Sequence, residues 1–80
     1  MFISDYSSEE RKDLRGYWCN ADGKPGIVQV VVEIENQSLV GVFIPAEGRV
    51  AHYNADKVFI PTASERVWDK RGNRVTNLTP

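Results

Sequence analysis

The stretch from Ile27 to Glu35 constrains this chain more than any other. Over these nine residues Val28, Val30, Val32 and Ile34 fall on one side of an alternation, and Gln29, Val31, Glu33 and Glu35 fall on the other. Successive side chains of an extended strand point to opposite faces, so this period of two predicts a strand with an apolar inner face. Asn36-Gln37-Ser38 supplies turn chemistry. Leu39 to Ile44 then reads as the returning strand, stopped by Pro45. A three-residue loop pairs Ile34 with Val40, Val32 with Val42 and Val30 with Ile44. A two-residue loop exchanges the faces of the second strand, because a slip of one residue inverts them. In either register Val31, Leu39 or Phe43 leaves the outer face partly apolar, and something must cover it.

The rest of the chain agrees with a mainly β fold. Ten Val and five Ile stand against three Leu and one Met, and β-branched side chains suit a pleated surface better than a helix. Residues 1–6 read as an N-terminal arm carrying Phe2 and Ile3. Residues 7–16 read as one short helix. Ser7 and Glu10 have capping-box spacing, acids precede the bases Arg11, Lys12 and Arg15, and Gly16 is placed to stop the helix. Residues 17–76 read as the sheet core. It begins with a strand at Tyr17-Trp18-Cys19 and a turn-rich stretch at residues 20–26. Further strands are expected at residues 49–53 and 57–60, with Asn54-Ala55-Asp56 as the turn between them. Residues 66–69 and 74–76 form a last hairpin, and residues 77–80 a frayed tail. Val42-Phe43-Ile44-Pro45 recurs as Val58-Phe59-Ile60-Pro61, which reads as two strands that end alike.

The run from Lys57 to Val67 joins a strand, Pro61, one 3₁₀ turn at residues 62–65 and another strand. It resembles the closing segment of SH3-like barrels. The resemblance is one of fold and covers about a dozen residues. Five to seven short strands with tight turns and one short helix suggest a small barrel or a strongly bent antiparallel sheet, and the resemblance implies that such a barrel is SH3-like. The aromatic pair and acidic loop of peptide-binding SH3 domains do not stand at the matching places, so no binding residue is implied.

Eighty residues make one domain with a small core. Such a core yields roughly 3–5 kcal/mol of net stability unless a disulfide, a metal or a partner adds to it. Cys19 is the sole cysteine, and Cys19 and His52 are the only soft ligands. Neither an internal disulfide nor a zinc site is expected, and no cofactor is implied. Self-association or a protein partner becomes the expected aid. No basic-then-apolar leader and no apolar run of membrane length is visible. The expectation is a cytoplasmic protein with no membrane partner.

Three classes of function follow from the residues. The first is a protein-binding or self-associating module. The chain has eight aromatic residues, more than so small a core can enclose, and Trp and Tyr often anchor interfaces. Trp18, Phe43, Tyr53, Phe59 and Trp68 are the candidate contact residues. The second is a nucleic-acid-binding accessory protein. Residues 41–80 hold six bases against four acids, while residues 1–40 hold four against seven. Arg66, Lys70, Arg71 and Arg74 would meet phosphates and Trp68 would stack on a base, although the net charge of −1 is unlike that of a general binder. The third is a small oligomeric enzyme resting on Arg49, His52, Tyr53 and Asp56. Alternation sets His52 opposite Arg49 and Tyr53, so no catalytic residue is assigned.

Overall fold

The computed structural model describes residues 1–62 and 66–68. Five strands form one antiparallel sheet: β1 (Trp18–Ala21), β2 (Lys24–Ile34), β3 (Gln37–Ile44), β4 (Arg49–Asn54) and β5 (Val58–Phe59). Their order is β4-β3-β2-β1-β5. Among the described residues the sheet is open, with β4 and β5 as its outer strands, and no closed barrel is formed. The last expected hairpin falls largely outside the described residues.

Each turn has a local cause. Asp22-Gly23 joins β1 to β2 with positive φ at both residues, 50° and 87°. An Asp-Gly pair suits that conformation. Asn20 Oδ1 also accepts from the Gly23 N–H at 2.8 Å. Asn54 proves to be the last residue of β4, and a 3₁₀ turn at Ala55–Lys57 follows it directly. That turn leads from β4, at one edge, to β5, at the other. The four Cα steps from Asn54 to Val58 can reach about 14 Å. Four strand spacings in a flat sheet measure about 19 Å before any offset along the strands. The sheet therefore curls, with its core on the inside of the curl.

The inner face carries Cys19, Ala21, Val28, Val40, Val42, Ile44 and Val58. Ile3, Leu14, Ala55 and Ile60 pack onto it, and all eleven residues are buried. The two Val-Phe-Ile-Pro segments share a pattern. Val42, Ile44, Val58 and Ile60 go inward, while Phe43 and Phe59 stay outside the core cluster. Gly26 lies where a Cβ would stand 2.4 Å from Val42 Cγ1, so β2 can pass this close to the core side chains only as glycine.

The N-terminal segments differ from expectation in extent. The arm forms a 3₁₀ turn at Ile3–Asp5, and Phe2 bridges to Phe59. The helix α1 covers only Ser8–Lys12, not residues 7–16. Its capping box is formed as the spacing predicts. Ser7 Oγ accepts from the Glu10 N–H and Glu10 Oε1 accepts from the Ser7 N–H. Tight turns follow the helix, and Gly16 sits at φ 91° with the Trp68 carbonyl directly over its Cα. A side chain there would collide with backbone, which makes residue 16 a glycine for reasons beyond stopping a helix. The first strand begins at Trp18, while Tyr17 makes an isolated bridge to Arg66.

The hairpin takes a two-residue loop, and the structure corrects the inner face expected of β2. The β2–β3 loop is the two-residue Glu35-Asn36, with Ile34 opposite Gln37, and Glu35 takes the positive φ of 56°. Val31 pairs with Val40, and Val32 with Leu39. Val28 still pairs with Val42 because the register steps between Val28 and Val30. Gln29 is the extra residue of a β-bulge. A bulge inserts one residue and reverses the alternation beyond it. Val28 is therefore fully buried, whereas Val30, Val32 and Ile34 are exposed by 41%, 42% and 52%. These three point outward, and Val31 replaces them against the core.

Candidate interaction face

The bulge decides what the outer face presents. Residues opposite one another in an antiparallel pair share a face. Beyond the bulge, β2 shows Val30, Val32 and Ile34; β3 shows Gln37, Leu39 and Gly41; β4 shows His52 and Asn54. The placement is direct at Gly41. A Cβ there would meet Val30 Cγ1 at 2.9 Å and stand 3.6 Å from both His52 Nε2 and Val50 Cγ1. At the other end lie Trp18, Ile27, Phe43 and Val50, in register across β1, β2, β3 and β4. Asn20 and Phe59 extend the face to β5.

None of these outward positions is a Lys, Arg, Asp or Glu, although these four make up 26% of the chain. The charged residues of the described strands, Lys24, Glu33 and Arg49, lie on the inner side. Arg11 reaches Glu33, and Lys24 and Arg49 both reach Glu47, at 3.2, 2.7 and 2.8 Å.

The candidate aromatic residues divide into three places. Phe43 and Trp68 meet with ring centroids 5.9 Å apart. Ile27, beside Phe43 in the register, is buried although it lies outside the core cluster, and Trp18 next to it stays 38% exposed. Phe59 lies at the β5 end, where Phe2 meets it edge-on at 5.2 Å. Tyr53 opposes Val40 and packs against the core, so it does not join the others. Sequence reasoning placed Val30, Val32 and Ile34 inside, and so missed them as surface. The available signal was Val31, the one apolar residue on the wrong side of the alternation.

The nucleic-acid candidates that are described hold internal contacts. The Arg66 guanidinium lies 4.7 Å from the centre of the Tyr17 ring and donates to the Asp13 carbonyl. Trp68 is half-buried against Phe43. Lys70, Arg71 and Arg74 lie outside the described residues. Of the residues considered for catalysis, His52 faces outward, Tyr53 inward, and Arg49 pairs with Glu47. They do not converge. Among the described residues no three His, Cys, Asp or Glu come together as a metal site, and no helix is long and apolar enough to cross a membrane.

A polar cleft of about 320 Å³ lies beside Arg11, Ser38, Asn54 and Asp56. Its arginine is already engaged. Nε donates to the Ile3 carbonyl at 3.2 Å, Nη2 to the Ser4 carbonyl at 2.9 Å, and Nη1 to Ser38 Oγ at 2.7 Å as well as to Glu33. Arg11 thus clamps the N-terminal turn to the β2–β3 hairpin. Cys19 is buried, and burial pushes its thiol pKa up to about 12. A thiol held neutral in this way is a poor nucleophile.

No family model matches the chain, and comparison with curated proteins and with solved structures gives no match either.

Proposed function

We propose that this chain is a small cytoplasmic interaction module that docks a protein surface on its outer sheet face. The observation that carries the reading is the uncharged, largely apolar row on β2, β3 and β4 beyond the bulge. Apolar side chains at a sheet surface lose about 25 cal/mol for each Å² left in water. A small domain that keeps Val30, Val32 and Ile34 exposed gives up stability it can recover by docking. Trp18, Phe43, Phe59 and Trp68 extend the row with side chains of the kind that anchor interfaces. An SH3-like arrangement is part of the same proposal. Its support is the curl of the sheet and the 3₁₀ link from β4 to β5.

The test compares two tagged baits in lysate of the source cell, wild type and Val32→Lys, each with nuclease. Val32 is 42% exposed, so the lysine can be accommodated at the surface of the folded chain. Retention of a discrete protein by wild type and its loss from Val32→Lys supports the reading. Equal retention by both baits, or loss of every partner on nuclease treatment, refutes it.

A further inference from the structure

We propose that the edge of β2 beyond the bulge takes an extended acidic segment of a partner protein as an added strand. The proposal goes beyond the outer-face reading, because the contact is made by the backbone of β2.

The edge is open because β1 is short. β1 has four residues and β2 has eleven, and their register ends at Trp18 opposite Ile27. Two more bonds follow, from the Gly16 N–H to the Val28 carbonyl and from the Val28 N–H to the Tyr17 carbonyl. Among the described residues no strand lies beside β2 on this side after Val28. The hairpin decides which groups face the gap. The pair beside a two-residue turn exchanges hydrogen bonds, and so does every second pair after it. Ile34, Val32 and Val30 therefore bond to β3. The N–H and C=O of Val31 and Glu33 point the other way. Such an edge is a ready template for another strand, and strand addition is a recurring mode of peptide recognition. From Val30 to Ile34 it offers about 16 Å.

A groove of about 490 Å³ runs along this edge. Val30 and Val31 both line it although they point to opposite faces, so it lies where the two faces meet. A strand added about 4.8 Å from β2 enters it. Charge selects the occupant. Arg11, Lys12 and Arg15 line the groove and no acid does, so it stays positive even with Glu33 beside Arg11. Residues 69–80 of the chain hold three bases and one acid, the wrong sign for this groove. A second copy paired edge to edge would bring two basic rims together. An acidic segment of another protein has the complementary charge. Its side chains alternate. One set lies beside Val30, Val32 and Ile34 and is apolar, and the other lies near the three bases and is acidic.

Amide hydrogen exchange of the full chain, read by nuclear magnetic resonance, tests this with a capped peptide of about seven alternating Glu and Val residues. In the free chain the Val31 and Glu33 amides should exchange at least about 10-fold faster than those of Val30 and Val32. The peptide should slow the exchange of Val31 and Glu33. Replacing its central Val by Pro should abolish this, and a Lys and Val peptide should not bind. Lys12 is exposed, and Lys12→Glu should weaken binding about 3- to 30-fold, less at high salt. If that variant does not keep the circular dichroism of wild type, the two peptides on the wild-type chain carry the charge test. Val31 and Glu33 amides already protected in the free chain overturn the proposal. Protection that grows with chain concentration assigns the edge to a second copy, and protection that does not assigns it to the chain itself. A Glu and Val peptide without effect at about 2 mM, equal binding of both peptides, or binding unchanged in a folded Lys12→Glu variant also overturns it.

Discussion

Replacing Val28 and Val32 singly by Ala puts the bulge to a quantitative test. The two residues lie four apart on β2 and would share a face in an unbroken strand. In the structure Val28 is fully buried and Val32 is 42% exposed. Val→Ala removes two carbons, worth about 0.8 kcal/mol each when buried, or about 1.6 kcal/mol. At Val28 the hole left among Val42 and its neighbours raises the loss to about 2–3 kcal/mol. At Val32 only part of the side chain is covered and solvent fills the space, so the loss is at most about 1 kcal/mol. The lower strand propensity of Ala is common to both variants and cancels in the comparison. For a domain of this size each kcal/mol moves Tm by about 4–8 °C. Val28→Ala should lower Tm by about 10–20 °C and Val32→Ala by less than about 8 °C. Urea unfolding with unchanged m-values should give the same ranking. Equal losses at the two sites would refute the bulge, and with it the outward placement of Val30, Val32 and Ile34.

Arg11→Ala should cost about 1–3 kcal/mol in chemical denaturation, since it removes charged hydrogen bonds to the Ile3 and Ser4 carbonyls and to Ser38. Arg11→Lys should recover little of this, because a single ammonium cannot span the fork. The Cys19 pKa of about 12 lies above the ordinary value of 9.0, so the neutral thiol is favoured by folding. Its contribution is intact below pH 9 and is lost as pH rises from there towards 12. A Cys19→Ala variant should show a smaller fall in Tm across that range, and a thiol reagent at pH 8 should label the wild type only as fast as it unfolds. Glu47 is held below its ordinary 4.5, first by its hydrogen bond from Lys24. It therefore supports the fold above pH 4.5 and loses that support as pH falls below, and Glu47→Gln should flatten the acid limb of the Tm profile.

Features fixed by neighbours in the chain were legible from sequence. The Ser7–Glu10 capping box and the Asp22-Gly23 turn are satisfied by contacts within a few residues. The β-branched bias of Ile27 to Glu35 specified a strand wherever its partners lay. The helix was read as too long because Asp13 to Tyr17 answers to a distant contact: Gly16 accepts from the Val67 N–H and donates to the Val28 carbonyl. The faces of β2 were read correctly at Val28 and incorrectly at Val30, Val32 and Ile34. Alternation counts residues, while burial depends on the partner strand. Tight closure at Glu35-Asn36 and close approach at Gly26 set two registers one residue out of step, and only a bulge satisfies both. The second apolar face was expected from Val31, Leu39 and Phe43, but its composition depended on that step. Gln29 itself carries no local mark of being the extra residue.

The bulge also separates two kinds of change that sequence drift can bring. Before Gln29 the alternate positions of β2 are bound to the interior, and a replacement there is judged by whether the chain folds. After it, positions 30, 32 and 34 answer chiefly to whatever lies outside. A lineage can therefore rewrite those three side chains and acquire a new companion while its interior stays the same. Conversely, losing one residue elsewhere between Val28 and the hairpin turn would send a different set of side chains outward in a single step.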